Sequence, residues 1–445
     1  MDVSGFFRDK KITLMGLGLL GRGVGDAEFL AECGAELIVT DLKTKEQLAD
    51  SLARLERFSN ITYALGGHHL EDFQKCDMVL MAAGVPADSP YIQEARTHNI
   101  PVRMSGALFA SLAQIPVIGV TGSRGKSTTT QLIYHTLTRA TEGGTVHLGG
   151  NVRGVSNLQL LKNVEDGDVA VLELDSWQLQ GFGEMDMSPH IAVFTSFLPD
   201  HMDYYKNDMD AYFDDKAHIF VHQEPGDVLI TTPAVFVYIE AYAKRKGYTL
   251  TQEVILTDSS DVPDEWSVPI RGSHNRANVA LAIEALRATS LPEDLIKEGI
   301  ESFSALPGRL EYLGEVKGVK IYNDNNATSP IATLAGLEAV AEDKNVVLIM
   351  GGSDKKLDMQ PLLRALPQYT KEVILLPGTG SDVVRPELPQ AIPADTLADA
   401  VTTAFDRAES GDVILFSPAF ASFGMFKNEY DRNDQFVALV REGMR

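Results

Sequence analysis

Residues Ile115–Leu137, IPVIGVTGSRGKSTTTQLIYHTL, constrain the fold more than any other stretch of this chain. The apolar run from Ile115 to Val120 has the character of a buried strand. A tight glycine turn follows, and a helix is expected to begin at Lys126 or Ser127. Gly122 and Gly125 let the backbone curl so that its N–H groups point inward, and the helix N-terminus adds the positive end of its dipole. Lys126 has the reach for the terminal phosphates of a bound nucleotide, and the Ser127 hydroxyl can bind Mg²⁺. Only Ser123 and Arg124 separate the two glycines, where the standard phosphate loop has four residues. In open α/β sheets such ligands lie at the carboxyl ends of the strands.

A second glycine motif lies upstream. The strand Lys11–Met15 leads into Gly16-Leu-Gly18-Leu-Leu-Gly21, which opens a helical pattern. A strand from Glu36 to Thr40 then ends at Asp41, twenty residues after Gly21. This is a dinucleotide-fold fingerprint, acidic residue included. Two readings follow from it: a NAD-dependent oxidoreductase domain, or a Rossmann-like domain holding a different nucleotide-linked ligand. Further strands are expected at 76–83 and 101–104, which places a domain boundary near residue 105.

The central region continues with a polar turn at Gly149-Gly150-Asn151 and a strand, Asp168–Leu174, carrying Glu173 near its end. A carboxylate there, in a nucleotide-binding sheet, is a natural Mg²⁺ partner. His201 follows the strand Ile191–Phe197 and is flanked by Asp200 and Asp203. Lys216 lies among apolar positions of the helix that follows, and its spacing alone assigns it no role. Asn275 and Asn278, at i and i+3, share a helix face, where they either contact a nucleotide or cap the helix. In the last third, four strand ends carry small or polar loops, at Asn323–Pro330, Gly351–Lys356, Pro377–Gly378 and Ser417–Phe423, which describes a third α/β layer.

The length of 445 residues allows about three domains of ~150 each. The net charge of −23 argues against a nucleic-acid surface, so an anionic substrate must be held by local basic groups and backbone N–H groups. Two cysteines, Cys33 and Cys76, are too few for a disulfide framework and fit a reduced, cytoplasmic compartment. The N-terminus carries no signal-peptide pattern, and no apolar run is long enough to span a membrane.

Taken in order, the motifs resemble those of the Mur ligases, the ATP-dependent amide-bond-forming enzymes of peptidoglycan precursor synthesis. The resemblance covers essentially the whole chain. It rests on TGSRGKSTTT, on GGN at Gly149–Asn151, and on LELDSWQL at Leu172–Leu179. DHMD at Asp200–Asp203, the YxxxK run Tyr212–Lys216 and HNxxN at His274–Asn278 follow, then LPGRLE, YNDNNAT, GGSDK and SPAFASFGMFKN.

The resemblance implies an α/β protein of three domains. These are a Rossmann-like UDP-substrate domain over 1–105, a central P-loop ATPase-like domain over 106–305, and a C-terminal Rossmann-like amino-acid domain over 306–445. It implies ATP contacts from Gly122, Gly125, Lys126, Ser127, Thr128, Asn275, Asn278, Arg309 (phosphate) and Asp324 (ribose). Two Mg²⁺ ions would be held by Ser127, Glu173, His201 and a carbamylated Lys216, with Lys126, His201 and Lys216 central to catalysis. Gly18, Leu19 and Leu20 would meet the diphosphate, Asp41 the uracil region, and Asn151 and His201 the rest of the nucleotide-sugar. Thr328, Lys355, Ser422 and Phe423 would hold the amino acid.

The implied reaction joins glutamate, D-glutamate in first place, to UDP-N-acetylmuramoyl-L-alanine through an acyl phosphate, in a cytoplasmic monomer. Four positions depart from the family's pattern: Asn326 stands for a lysine, Glu429 for an aromatic, Asp175 for a serine and Ser196 for an asparagine. The first two lie near the amino-acid pocket, which leaves L-glutamate or another amino acid, or an inactive nucleotide-binding homologue, as alternatives.

Overall fold

The computed structural model describes residues 3–19, 21–141 and 143–444. Its strands form three sheets. The first contains β1 (Lys11–Met15), β2 (Glu36–Asp41), β3 (Ile61–Leu65), β4 (Met78–Met81) and β5 (Val102–Arg103), in the order β3-β2-β1-β4-β5 and all parallel. The second is also parallel and has the order β11-β10-β9-β6-β8-β7. Its strands are β6 (Val117–Thr121), β7 (Val146–Gly150), β8 (Val169–Glu173), β9 (Ile191–Phe194), β10 (Val228–Thr231) and β11 (Glu253–Leu256).

In both sheets the glycine loop leaves the strand where the winding reverses, after β1 and after β6. That is where open α/β sheets take ligands. Strand β6 is buried at all five positions, because helices cover both faces of a parallel sheet.

The third sheet contains β12 (Glu311–Val316), β13 (Val319–Asn323), β14 (Val346–Gly351), β15 (Thr370–Leu376), β16 (Ile392–Pro393) and β17 (Val413–Phe416). Its order is β12-β13-β17-β14-β15-β16, parallel except for the β12–β13 hairpin at one edge.

Compactness divides the chain into two units. One runs through Pro263 and takes in Ala277–Ile300; the other combines Asp264–Arg276 with the chain from Glu301 onward. The first unit holds two sheets, and the reason is visible where they meet. Gly25, on the helix Arg22–Glu32, approaches Ser156 so closely that an added Cβ would lie 2.6 Å from the Ser156 Cβ. Asp26 Oδ1 accepts the Ser156 hydroxyl at 2.6 Å and the Leu158 N–H at 3.3 Å, and Gln159 Nε2 donates to the Gly25 carbonyl at 3.0 Å. Burial pushes the Asp26 carboxyl up to about 6.

Gly149 and Gly150 do not form the expected polar turn. They are the last residues of β7, and Asn151 is the first residue beyond it. Gly150 has φ +83°, and an added Cβ would lie 2.0 Å from the Glu173 carbonyl oxygen, so the glycine lets the two strand ends close on each other. Among the described residues no helix is long and apolar enough to cross a membrane, and Cys33 and Cys76 are buried and not joined in a disulfide.

Candidate active site

The helix Lys126–Ala140 begins directly after the phosphate loop, with Gly125 left-handed at its N-cap (φ +89°) and Ser127 and Thr128 in its first turn. The loop itself is held by the segment that follows β9. Ser123 N donates to the Ser196 carbonyl at 2.8 Å, and Arg124 N donates to Ser196 Oγ at 2.8 Å, which donates back to the Arg124 carbonyl at 2.9 Å. Ser123 Oγ donates to the Leu198 carbonyl at 2.8 Å and accepts the Leu198 N–H at 2.9 Å. The Arg124 guanidinium clasps Asp200 at 2.7 Å. The two residues that looked like mere spacers between the glycines therefore lace one loop to the other. Ser196, a departure from the family's pattern, supplies a hydroxyl that both donates and accepts there.

Two lysines converge on one carbonyl. Lys126 Nζ donates to Gly122 O at 2.9 Å, and Lys216 Nζ donates to the same oxygen at 3.0 Å and to Thr121 Oγ1 at 3.3 Å. Lys216 comes from the helix Met209–Ala217, is 1% exposed, and takes part in no ion pair among the described residues. Burial drives its amine well below its ordinary value, and the neighbouring Lys126 charge adds to the effect. Burial also lowers Lys126, opposed chiefly by the Glu173 carboxylate. Glu173 ends β8, buried, and accepts from Asn151 Nδ2 at 3.3 Å. Asn151 Oδ1 in turn accepts from Arg22 at 2.6 Å, so Asn151 ties the first helix of the glycine-rich fold to the carboxylate of the second sheet.

His201 sits in the loop after β9 in a left-handed conformation (φ +55°), its ring 4.5 Å from that of Trp177. Burial lowers its imidazole below the ordinary value, opposed by Asp200. Asp175, in place of the usual serine, is the N-cap of the helix Ser176–Gly183 and forms a full capping box with Gln178, a role either residue type fills. Asn278 Oδ1 packs against the phosphate loop, where a Cβ on Gly125 would lie 2.3 Å from it. Asn275 and Asn278 both lie within the helix Ser273–Ala288, and Asn275 Nδ2 donates to the Arg271 carbonyl at 2.7 Å.

In the first sheet, Gly16, Gly18 and Gly21 are all left-handed, at φ +96°, +67° and +85°. A cavity of about 200 Å³ opens beside them, lined among others by Gly18, Leu19, Arg22, Ser105 and Asn157. Leu19 is exposed; Leu20 lies outside the described residues. Asp41 is buried and engaged by its own domain: its carboxylate accepts Gly18 N at 3.1 Å and Lys43 N at 2.9 Å, so it braces the glycine loop.

In the second unit, Asp324 is buried, accepts Ser417 Oγ at 3.0 Å and Leu310 N at 3.1 Å, and is pushed up to about 7 by burial, with nearby Arg309 opposing. Thr328 follows in the same loop, Thr328 N donating to the Asn326 carbonyl at 3.0 Å. Ser353 and Ala421 exchange backbone hydrogen bonds at 3.0 and 3.1 Å, which joins the loop bearing exposed Lys355 to the loop bearing Ser422 and exposed Phe423. Sequence reasoning passed over Arg432. It is fully buried, with Nε donating to Asn325 Oδ1 at 2.7 Å and its terminal nitrogens donating to the carbonyls of Asn325 (2.8 Å) and Phe420 (3.2 Å). An arginine in a helix of mixed composition gives no signal of this; only the sheet brings its partners near.

Among the described residues no three His, Cys, Asp or Glu side chains are grouped as a metal site. The protein donors on offer are the Ser127 hydroxyl and the Glu173 carboxylate, with nucleotide oxygens to complete the set. A hard cation such as Mg²⁺ accepts such a set.

Three family models match the chain in order: the MurD-like N-terminal domain of Mur ligases over residues 10–104, the Mur ligase middle domain over 120–286, and the Mur ligase glutamate ligase domain over 308–420. The UDP-N-acetylmuramoylalanine–D-glutamate ligase of a Roseiflexus species is 35% identical over 464 residues, spanning 97% of this chain and 98% of the relative. The enzyme of the same name from Borreliella afzelii is 33% identical over 454 residues, with 97% and 98% covered. The solved UDP-N-acetylmuramate-alanine ligase of Thermotoga maritima shares the fold with a TM-score of 0.62 at 18% identity, covering 98% of this chain and 100% of its own. With relatives at this identity over nearly their whole length, and three domain models in register along the sequence, the chain belongs to the Mur ligase family.

Proposed function

We propose that this chain is an ATP-dependent ligase that joins D-glutamate to UDP-N-acetylmuramoyl-L-alanine in peptidoglycan precursor synthesis. The geometry that carries the reading is the convergence of Lys126 and buried Lys216 on the Gly122 carbonyl. It equips a phosphate loop for phosphoryl transfer, and the reaction asks for no side-chain nucleophile. The choice of D-glutamate follows the named activity of the relatives.

In this reading, residues 1–105 hold the nucleotide-sugar, 106–305 hold ATP, and 306–445 bring the ribose contact of Asp324 and the amino acid. The acceptor carboxylate attacks the γ-phosphorus of ATP, ADP leaves, and an acyl phosphate forms. The amine of glutamate then attacks the acyl carbon; the tetrahedral adduct loses phosphate and leaves the amide. The loop N–H groups and Lys126 offset the charge that builds on the transferring phosphoryl group. Ser127, Glu173, His201 and Lys216 are the residues that would hold Mg²⁺, which supplies Lewis-acid neutralisation of the phosphate oxygens.

Lys216 suits carbamylation. Burial lowers the Lys216 amine and so favours its neutral form, whose lone pair attacks CO₂, forming an N–C bond with loss of a proton and giving the side chain oxygen ligands. Buried cysteines outside any disulfide and small soluble substrates fit a cytoplasmic enzyme, and a monomer suffices for the reaction.

The test is phosphate release from ATP with UDP-N-acetylmuramoyl-L-alanine across a panel of D- and L-amino acids. Release with D-glutamate, abolished by Lys126→Ala, is expected. Release with L-glutamate alone would overturn the stereochemical assignment, and none with any amino acid would overturn the ligase reading.

A further inference from the structure

His201 has to be presented to the site by a loop with little regular structure. The chain from Thr195 to Asp208 joins β9 to the helix Met209–Ala217, and His201, Lys206 and Asn207 are all left-handed, at φ +55°, +52° and +62°. Side chains other than glycine avoid that conformation unless their surroundings impose it. The first half of the loop is imposed by the lacing to Ser123 and Arg124 described above.

The second half has its own anchor. Tyr205 Oη donates to Asp215 Oδ2 at 2.8 Å, and Gln180 Nε2 donates to the same oxygen at 2.7 Å and to Tyr204 Oη at 3.1 Å. Tyr204 N and Tyr205 N both donate to the His201 carbonyl, at 3.0 and 3.1 Å. Asp215 thus reaches His201 in two steps, through the side chain of Tyr205 and then its backbone. It precedes Lys216, whose amine bonds Gly122 and Thr121, so consecutive residues of one helix turn hold the loop and meet the phosphate loop.

We infer that Asp215, acting through Tyr205 and Gln180, is a positioning residue that sets His201 in register with the phosphate loop. The inference rests on the assignment of His201 to the ligase site. Nothing in the spacing of DHMD or YxxxK points to it, since an aspartate on a helix is ordinarily a solvated side chain. The geometry also specifies a conservative substitution. Both donors use one oxygen, so an asparagine amide oxygen can accept both bonds, whereas alanine accepts neither.

The experiment compares Asp215→Ala, Asp215→Asn, Tyr205→Phe and His201→Ala by kcat, by KM for ATP, and by the Mg²⁺ concentration for half-maximal rate. It adds a metal-free readout: the emission of Trp177, whose ring lies 4.5 Å from His201, in a Trp266→Phe background that leaves Trp177 the sole tryptophan. For Asp215→Ala, kcat should fall about 10- to 100-fold and half-saturating Mg²⁺ rise about tenfold, the usual cost of losing a residue that orients a ligand side chain, with KM for ATP within about twofold. Its Trp177 spectrum should shift from the parent's. Asp215→Asn should restore kcat to within about threefold and overlay the parent spectrum.

Parent-like kcat and emission for Asp215→Ala, whatever its melting temperature, overturn the inference while an inactive His201→Ala leaves the site assignment standing. A fully active His201→Ala overturns the site assignment itself. If Asp215→Ala does not fold, Tyr205→Phe decides: a fall in kcat with a spectral shift supports the inference, and parent values on both refute it.

Discussion

Gly122→Ala perturbs the point on which the site converges. Gly122 has φ +145°, and an added Cβ would lie 2.1 Å from Thr195 Oγ1, 2.9 Å from Ser196 N and 3.1 Å from Ser196 O. The backbone term for a side chain in this region is about 1–3 kcal/mol. Thr195 Oγ1, which donates to the carbonyls of Thr121 and Arg124, must also leave, and losing that bond costs about 1 kcal/mol. Ser196 cannot retreat freely, because its backbone carbonyl and hydroxyl hold Ser123 and Arg124. The sum, about 2–4 kcal/mol, falls on the loop geometry that presents Lys126, and corresponds to a loss of about 30- to 1000-fold in kcat/KM for ATP. The assay is steady-state ADP release at saturating acceptor and amino acid. Gly122→Ala combined with Thr195→Ala removes the nearest obstruction and should recover about tenfold of the loss. Activity of Gly122→Ala within about threefold of the parent would refute the claim that Gly122 sets the loop.

Other perturbations follow from the same structure. Lys216→Ala should abolish turnover and be partly rescued by added short carboxylates, which can supply oxygen ligands in its place; unrescued full activity would remove its metal role. Asp26→Asn should stabilise the fold in a pH-dependent way. The folded carboxyl keeps its proton up to about 6 against 3.8 ordinarily, so its cost appears as pH rises from 3.8 and is complete above about 6. Asparagine keeps both accepted bonds, so urea unfolding should show a gain of up to ~3 kcal/mol at pH 8 that shrinks toward pH 4; an equal gain at both would refute the assignment. Glu429→Phe with Asn326→Lys, which removes a carboxylate and restores a cation, should lower KM for glutamate about tenfold, read from initial rates; an unchanged KM would place both residues outside the amino-acid pocket.

Much of the frame is local in sequence. The glycine turns after β1 and β6, the helix start at Lys126 and the burial of β6 all follow from residues within a few positions of one another. What the spacing alone did not supply depends on residues far apart. Lys216 is an ordinary helix lysine until the sheet brings its amine to Gly122, 94 positions away. Ser123 becomes a clamp only through Leu198, and Arg432 a brace only through Asn325 and Phe420. Asp41 fits a ligand-binding pattern, and its carboxylate also accepts Gly18 N, 23 positions away, and Lys43 N, a brace that the pattern does not state. Gly149 and Gly150 have the composition of a turn but the role of closing β7 on β8. Resemblance to a family supplied the roles that neither spacing nor burial states.

The central claim is that an acceptor carboxylate is activated by phosphorylation before the amino acid adds. UDP-N-acetylmuramoyl-L-alanine labelled with ¹⁸O in its carboxylate tests this directly. The account predicts that, on turnover with ATP and D-glutamate, the phosphate released carries one labelled oxygen from the acceptor, read by mass spectrometry. Phosphate free of label, formed while the amide product accumulates, would contradict it.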